Sequence, residues 1–218
     1  MTARDDIFRR VRAALGRDDS NHAAVRQAVD ASCLARVQGP RVRLDPALYA
    51  TRFKQCSQAL SSTVDEVRTL AEVPAAVMRY LQARCLANEA VIWPAMVGLG
   101  WTEAGVRVEA RAPNGNDKVG ITGCFCAIAE TGTLMTLSGP ETIPSTSLLP
   151  ETHIAVVPYS RIVAGMEEGW TLLRQEHGSL PRAVNFISGP SRTADIEQTI
   201  VLGAHGPSRV HLIMVCEA

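Results

Sequence analysis

His153-Ile154-Ala155-Val156-Val157, stopped by Pro158, and Val210-His211-Leu212-Ile213-Met214-Val215-Cys216, close to the chain end, are almost unbroken runs of β-branched and aliphatic residues. Such runs read as strands covered on both faces, which is the habit of a parallel sheet rather than of a half-solvated antiparallel one. Working outward, Val163–Gln175 reads as a helix, Ala183–Ser188 as a strand and Ala194–Leu202 as a helix. On the other side, Thr63–Leu70 reads as a strand, Pro74–Arg84 as a helix with Val77 and Leu81 on one face, and Ala90–Trp93 as a short strand. Residues 98–120 are irregular, with one strand at Val106–Glu109 and a turn at Pro113-Asn114-Gly115-Asn116. Cys124–Ala129 and Thr133–Leu137 are apolar runs split by Glu130-Thr131-Gly132. Alternating strands and helices predict an α/β domain around a mostly parallel, covered sheet.

The first 60 residues differ in character. Ile7, Val11 and Leu15 recur at helical spacing within residues 3–15, and Gly16 stops that helix. Residues 17–46 form a linker with a helical piece near Ala23–Ala35, and Asp45-Pro46 opens a further helix as N-cap and first residue, running to about Leu60. The expected organisation is a helical arm and linker over residues 1–60 and an α/β domain over residues 61–218. Lys plus Arg and Asp plus Glu number 22 each, but 11 of the cations and only 6 of the anions fall in residues 1–60. A basic arm either docks on its own acidic body or reaches a partner subunit, which admits a homo-oligomer.

Composition excludes several classes. With 46% hydrophobic and 20% charged residues in 218, the chain holds enough apolar material for a core and is neither disordered nor collagen-like. Zero net charge removes the usual electrostatic reason to expect nucleic acid. No run approaches the ~20 apolar residues of a membrane span. Arg4, Asp5 and Asp6 spoil a signal-peptide start, so the expected location is the cytoplasm. Cys33, Cys56, Cys85, Cys124, Cys126 and Cys216 contain no C-x-x-C pair and no cluster framework, and no two histidines have zinc spacing. Neither a metal nor another cofactor is expected on this chain.

Three stretches could carry chemistry. In Ala127-Ile128-Ala129-Glu130-Thr131-Gly132-Thr133-Leu134, a carboxylate and two hydroxyls surround one glycine between apolar runs. Those groups either bond a strand-linking bulge or form a site, with Glu130 as its carboxylate and Thr131, Gly132 and Thr133 binding a ligand. In Ser188-Gly189-Pro190-Ser191-Arg192-Thr193-Ala194-Asp195, Ser191 or Thr193 would cap the following helix and Arg192 would hold an anion. Asp195 in the first turn disfavours phosphate, so a small carboxylate or an internal Arg192–Asp195 pair is the alternative. In Gly203-Ala204-His205-Gly206-Pro207, a tight loop presents an imidazole that either acts as acid or base or simply holds the loop by hydrogen bonds. His153 has a weaker claim, as a core or strand-edge histidine. If Glu130, Thr131, Thr133, Ser191, Arg192, Asp195 and His205 share a site, the expected place is the carboxyl ends of the strands, where open α/β sheets bind ligands.

Ala129-Glu130-Thr131-Gly132-Thr133, Ser147-Leu148-Leu149-Pro150-Glu151-Thr152-His153, Gly189-Pro190-Ser191-Arg192-Thr193-Ala194-Asp195-Ile196-Glu197 and Gly203-Ala204-His205-Gly206-Pro207, taken in this order, closely resemble the LUD-domain family, the lactate utilization protein C group. Each motif is weak alone; the ordered set is specific, and the resemblance covers about residues 60–218. It implies the Rossmann-like open sheet shared by glucosamine-6-phosphate isomerase, ribose-5-phosphate isomerase and CoA transferases. It also implies a role in bacterial oxidation of L-lactate to pyruvate beside iron–sulfur partner proteins, with this chain as a non-redox subunit. Two other readings stand beside it. One is a CoA-transferase-like or isomerase-like enzyme using Glu130, with Arg192 on a substrate carboxylate and His205 moving protons; the other is a sensor module that binds a small carboxylate.

Overall fold

The structure is a computed structural model that describes residues 2–17, 21–35, 37, 39, 41, 43–193 and 201–217. They form two compact units, residues 1–40 and 41–218. In the first, helix α1 (Ala3–Ala14) starts with a capping box, Thr2 and Asp5 each bonding the other's backbone N–H. Gly16, at φ +60°, follows its end, and α2 (His22–Ala35) completes the unit. Ile7, Val11, Leu15, Val29 and Leu34 are exposed.

In the second unit, Asp45 accepts a bond from the Ala47 N–H and caps the 3-10 turn Pro46–Leu48, which leads into α3 (Tyr49–Ala59). Phe53 and Ser57 of α3 are fully buried. Residues 41–60 therefore pack with the α/β body, and the boundary falls at residue 40 rather than at 60.

A six-stranded sheet forms the centre. It contains β1 (Thr63–Thr69), β2 (Glu89–Ile92), β3 (Arg107–Glu109), β4 (Val119–Thr122), β7 (Thr152–Pro158) and β12 (Arg209–Glu217), in the spatial order β1-β12-β7-β4-β2-β3. Every neighbouring pair is parallel. The double-sided burial expected of β7 and β12 is present and alternates by residue. Ile154, Val156, Ile213 and Val215 face α4 (Val73–Ala83), which buries Val73, Ala76, Val77, Tyr80 and Leu81 against them. Ala155, Val157, Val210, Leu212 and Met214 face the other way, onto Phe53 of α3 and onto a second sheet.

That second sheet has four strands in the order β8-β5-β6-β9: β5 (Cys126–Ile128), β6 (Thr133–Leu137), β8 (Ile162–Val163) and β9 (Val184–Ile187). It is mixed: β5–β6 and β6–β9 are antiparallel, β5–β8 parallel. Ala127, Leu134 and Ile162 turn to the large sheet, while Cys126, Met135 and Leu137 turn outward to α5 (Met166–His177) and its Leu173. A Cβ on Gly169 of α5 would lie 3.3 Å from both Cys126 Sγ and Met135 Sδ, so this glycine sets the approach of the helix. The order of layers is α4, large sheet, small sheet with α3, α5. The open, mainly parallel sheet agrees with the sequence reading, whereas the small sheet takes three strands that periodicity alone does not separate from the large one.

Of the helix expected over residues 194–202, residues 194–200 lie outside the described residues; its last two, Val201–Leu202 (β11), pair antiparallel with Arg192–Thr193 (β10). Asp195 lies outside the described residues.

Two polar contacts fix the interior. On the α4 side, His211 stacks on Tyr80 with centroids 4.0 Å apart, and its Nδ1 is 2.9 Å from Thr63 Oγ1. On the other face, fully buried His153 has Nε2 2.8 Å from Thr122 Oγ1. Burial pushes both imidazoles down to about 4. The unfolded chain, with histidine pKa near ~6.5, binds protons that the folded chain refuses, so protonation favours unfolding. Stability is then complete above about pH 6.5, declines as pH falls towards about 4, and levels off below. Urea unfolding should accordingly show a loss of about 1 kcal/mol per histidine between pH 7.5 and 5.5, above the range where most carboxylates titrate; a flat stability over that interval would contradict the burial. Gly120, the register neighbour of His153, is equally constrained, because a Cβ there would sit 2.1 Å from the Thr146 carbonyl oxygen. Gly120→Ala should cost about 1–3 kcal/mol in the same experiment. Gly115→Ala, which meets nothing within 4 Å, should change stability by less than about 0.5 kcal/mol.

Candidate functional site

The turn between β5 and β6 is built on glycine. Gly132 has φ +68°, and a Cβ there would lie 2.4 Å from the Ser57 backbone nitrogen. The left-handed backbone and the contact with α3 both require Gly at this position. Ser57 Oγ donates to the Gly132 carbonyl at 3.2 Å, and Cys56 Sγ to the Glu130 carbonyl at 3.4 Å, so one turn of α3 holds the hairpin end. From it runs a chain of hydroxyls: Thr131 Oγ1 to Thr133 Oγ1 at 2.7 Å, then Thr133 Oγ1 to Ser188 Oγ at 2.7 Å. Thr131 and Ser188 are exposed and Thr133 between them is buried, so the chain passes beneath the surface at Thr133. Glu130 is half-buried, and its backbone N–H is bonded to Ala164. Its carboxylate flanks Gly165 together with that of Glu168, which is paired with Arg41 at 2.8 Å.

Ser188 leads directly into Gly189, at φ +75°, whose missing Cβ would lie 2.5 Å from the Leu60 carbonyl at the end of α3. Arg192 then reaches the same corner, its guanidinium donating to Leu60 O at 3.1 Å and to Ser61 Oγ at 2.5 Å. Ser191 clasps the His205 loop: its N–H donates to Pro207 O at 2.8 Å, and its carbonyl accepts from the Gly203 N–H at 2.9 Å. A Cβ on Gly206 would stand 3.3 Å from Ser191 Cβ and 3.7 Å from Leu148 O. Residue by residue, the four sequence motifs thus lie side by side: Thr133 bonds Ser188, the residue before Gly189, Ser191 bonds Gly203 and Pro207, and Gly206 lies beside Leu148.

The contacts divide the predicted residues into neighbouring groups. Thr131 and Thr133 meet at Ser188, Ser191 meets the loop of His205, and Arg192 meets the end of α3. His205 is exposed, and among the described residues no hydrogen bond or ion pair links it or Arg192 to Glu130. The location also differs from the expectation. Leu60–Ser61, Gly203–Ser208 and Leu148–Glu151 precede β1, β12 and β7, so this part of the cluster lies at the amino edge of the parallel sheet, not at the carboxyl edge. The cause is the route of the chain: β9 and β10 lie in the connection that returns to the start of β12.

Sequence reasoning did not single out Ser188, Ser57 or Ser61. Ser188 stands next to Gly189-Pro190 in a stretch already notable for its turn chemistry, which is the one signal available. Ser57 and Ser61 have none, since only the docking of α3 brings them in. As to ligands, no group of three or more His, Cys, Asp or Glu among the described residues is placed to hold a metal. Burial pushes the Cys124 thiol up to about 12 and that of Cys126 up to about 11, so both remain protonated thiols. What the cluster offers is neutral hydroxyl donors, one guanidinium and an exposed imidazole, groups suited to a small oxygen-bearing anion.

The sequence signature of the LUD domain matches residues 77–215. Lactate utilization protein C of Bacillus subtilis is 41% identical over 102 residues, which are 45% of this chain and 42% of that protein. Lactate utilization protein C 1 of Bacillus mycoides is 37% identical over 134 residues, 60% of this chain and 55% of the relative. The alignments thus span about half the length of these relatives. Among solved structures, a DUF162 family protein from Deinococcus radiodurans superposes with a TM-score of 0.60 at 25% identity, covering 79% of this chain and 99% of the other. Among the described residues no helix is long and apolar enough to cross a membrane. With the matched signature spanning well over half of its length, the chain belongs to the LUD-domain family.

Proposed function

We propose that this protein is a component of bacterial L-lactate utilization, the oxidation of L-lactate to pyruvate, and acts there as a non-redox subunit beside iron–sulfur partner proteins. The observation that carries the reading is the contact of the four family motifs, in a protein whose relatives bear the name lactate utilization protein C. A small hydroxy- or keto-carboxylate is its ligand. Arg192 meets the carboxylate, Thr131, Thr133 and Ser191 supply hydroxyls, and Gly132, Thr193 and Asp195 complete the binding set. Glu130 and His205 handle protons. The absence of a C-x-x-C pair or other cluster framework among the six cysteines supports the division of labour. Six free thiols accord with a reducing, cytoplasmic location. The first 40 residues of the basic arm, a compact unit of their own, are the segment offered to partner subunits, whether iron–sulfur proteins or a second copy.

Calorimetric titration with L-lactate and with pyruvate tests the ligand. Binding of at least one is expected, and Arg192→Ala should weaken it by about ten- to a hundredfold, the worth of a hydrogen bond to a charged group. Thr133→Val, which breaks the hydroxyl chain but spares the guanidinium, should weaken it by about tenfold or less. No heat with either compound, from protein whose fold is verified by its unfolding transition, would contradict the proposal.

A further inference from the structure

Five buried side-chain atoms among the described residues have no hydrogen-bond partner in the protein: Thr136 Oγ1, Thr146 Oγ1, His153 Nδ1, Asn185 Nδ2 and His211 Nε2. The last lies on the α4 side of the large sheet, beside Tyr80. The other four belong to the opposite interlayer. His153 shares a face of β7 with Ala155 and Val157, which pack on the small sheet. Thr146 lies over Gly120, the register neighbour of His153. On the facing side, Thr136 and Asn185 are register partners on β6 and β9, and share a face with Leu134 and Ile187, both in the same apolar cluster. Four unpartnered polar atoms on two facing surfaces are not a packing accident, since each left so would carry the full desolvation cost of a buried polar group.

The bonding around His153 defines what must meet it. Thr122 Oγ1 donates to the Gly123 carbonyl at 2.9 Å, which uses its only hydrogen. Its oxygen can then only accept, so His153 Nε2 carries the proton and Nδ1 presents a bare lone pair. The missing partner of Nδ1 is a donor, whereas the hydroxyls of Thr136 and Thr146 and the amide nitrogen of Asn185 have hydrogens to give. The ligand must both donate and accept. It must also be uncharged, because none of the fully buried polar side chains among the described residues is Asp, Glu, Lys or Arg, and an ion there would be uncompensated.

We propose that the interlayer between the two sheets is a fixed binding site for ordered water, one molecule bridging His153 Nδ1 and Thr146 Oγ1 and a second serving Thr136 and Asn185. Water satisfies the donor and acceptor demand together, in the role buried waters hold in folded domains. Thr122 fixes His153 in a single neutral tautomer at the centre of the large sheet, and the water completes its bonding at Nδ1. The proposal is independent of the ligand assigned to the amino edge.

Nitrogen-15 NMR of the intact protein reads the tautomer, and a crystal structure at high resolution reads the solvent. The expected result is His153 protonated at Nε2 alone, with solvent density about 2.7–3.2 Å from both Nδ1 and Thr146 Oγ1. Thr146→Val should remove the bridging water while His153 keeps its proton on Nε2, a loss of solvent density that a purely space-filling role of Thr146 would not produce. A proton on Nδ1 in the wild type, a dry interlayer, or density too large for water would each overturn the proposal. The wild-type measurements decide the matter even if the variant does not fold.

Discussion

The fold rests on burying β7 and β12 from both sides. Their residues alternate strictly, Ile154, Val156, Ile213 and Val215 to one layer and Ala155, Val157, Leu212 and Met214 to the other. A strand apolar on both faces gains its stability only when both faces are covered. Here α4 covers one face, while α3 and the small sheet cover the other. Close approaches then follow as geometric necessities. Thr146 lies over Gly120, Ser57 over Gly132, and Leu60 over Gly189. Two of them seat family motifs on α3, Gly132 against Ser57 and Gly189 against Leu60, so the packing that closes the core also positions those loops.

Much of this was legible in the chain. The unbroken runs at His153–Val157 and Val210–Cys216 revealed a covered parallel sheet, and Asp45-Pro46 marked a helix start that the Asp45 cap realises. Two features were not legible. Periodicity reports that Cys126–Ile128 and Thr133–Leu137 are strands, but it carries no term for which sheet they join. That choice is made by the antiparallel turn at Gly132 and by the packing of Leu134 and Ala127 on the large sheet. The pairing of Val201–Leu202 with Arg192–Thr193 was likewise not legible, since a helical pattern running to Leu202 carries no sign of a two-residue ladder.

The site was legible as a set of motifs but not as a geometry. Carboxyl-edge binding is a sound expectation for open α/β sheets, yet Ser191, Arg192 and the His205 loop sit where the chain re-enters β12. Their partners Ser61, Leu60 and Leu148 precede β1 and β7 for the same reason. The buried polar groups follow a comparable logic: His153 looked like a core histidine, and it is one, but with a single bonded nitrogen.

On the proposed function, motifs distant in sequence act as one ligand-responsive edge. Amide hydrogen exchange with and without saturating L-lactate or pyruvate tests this most directly. Added protection is expected only at residues 128–133, 187–193 and 202–208, with the carboxyl-edge segments 93–97 and 123–125 unchanged. Protection at the carboxyl edge alone, or none at any of the three motif segments while ligand binds, would contradict it.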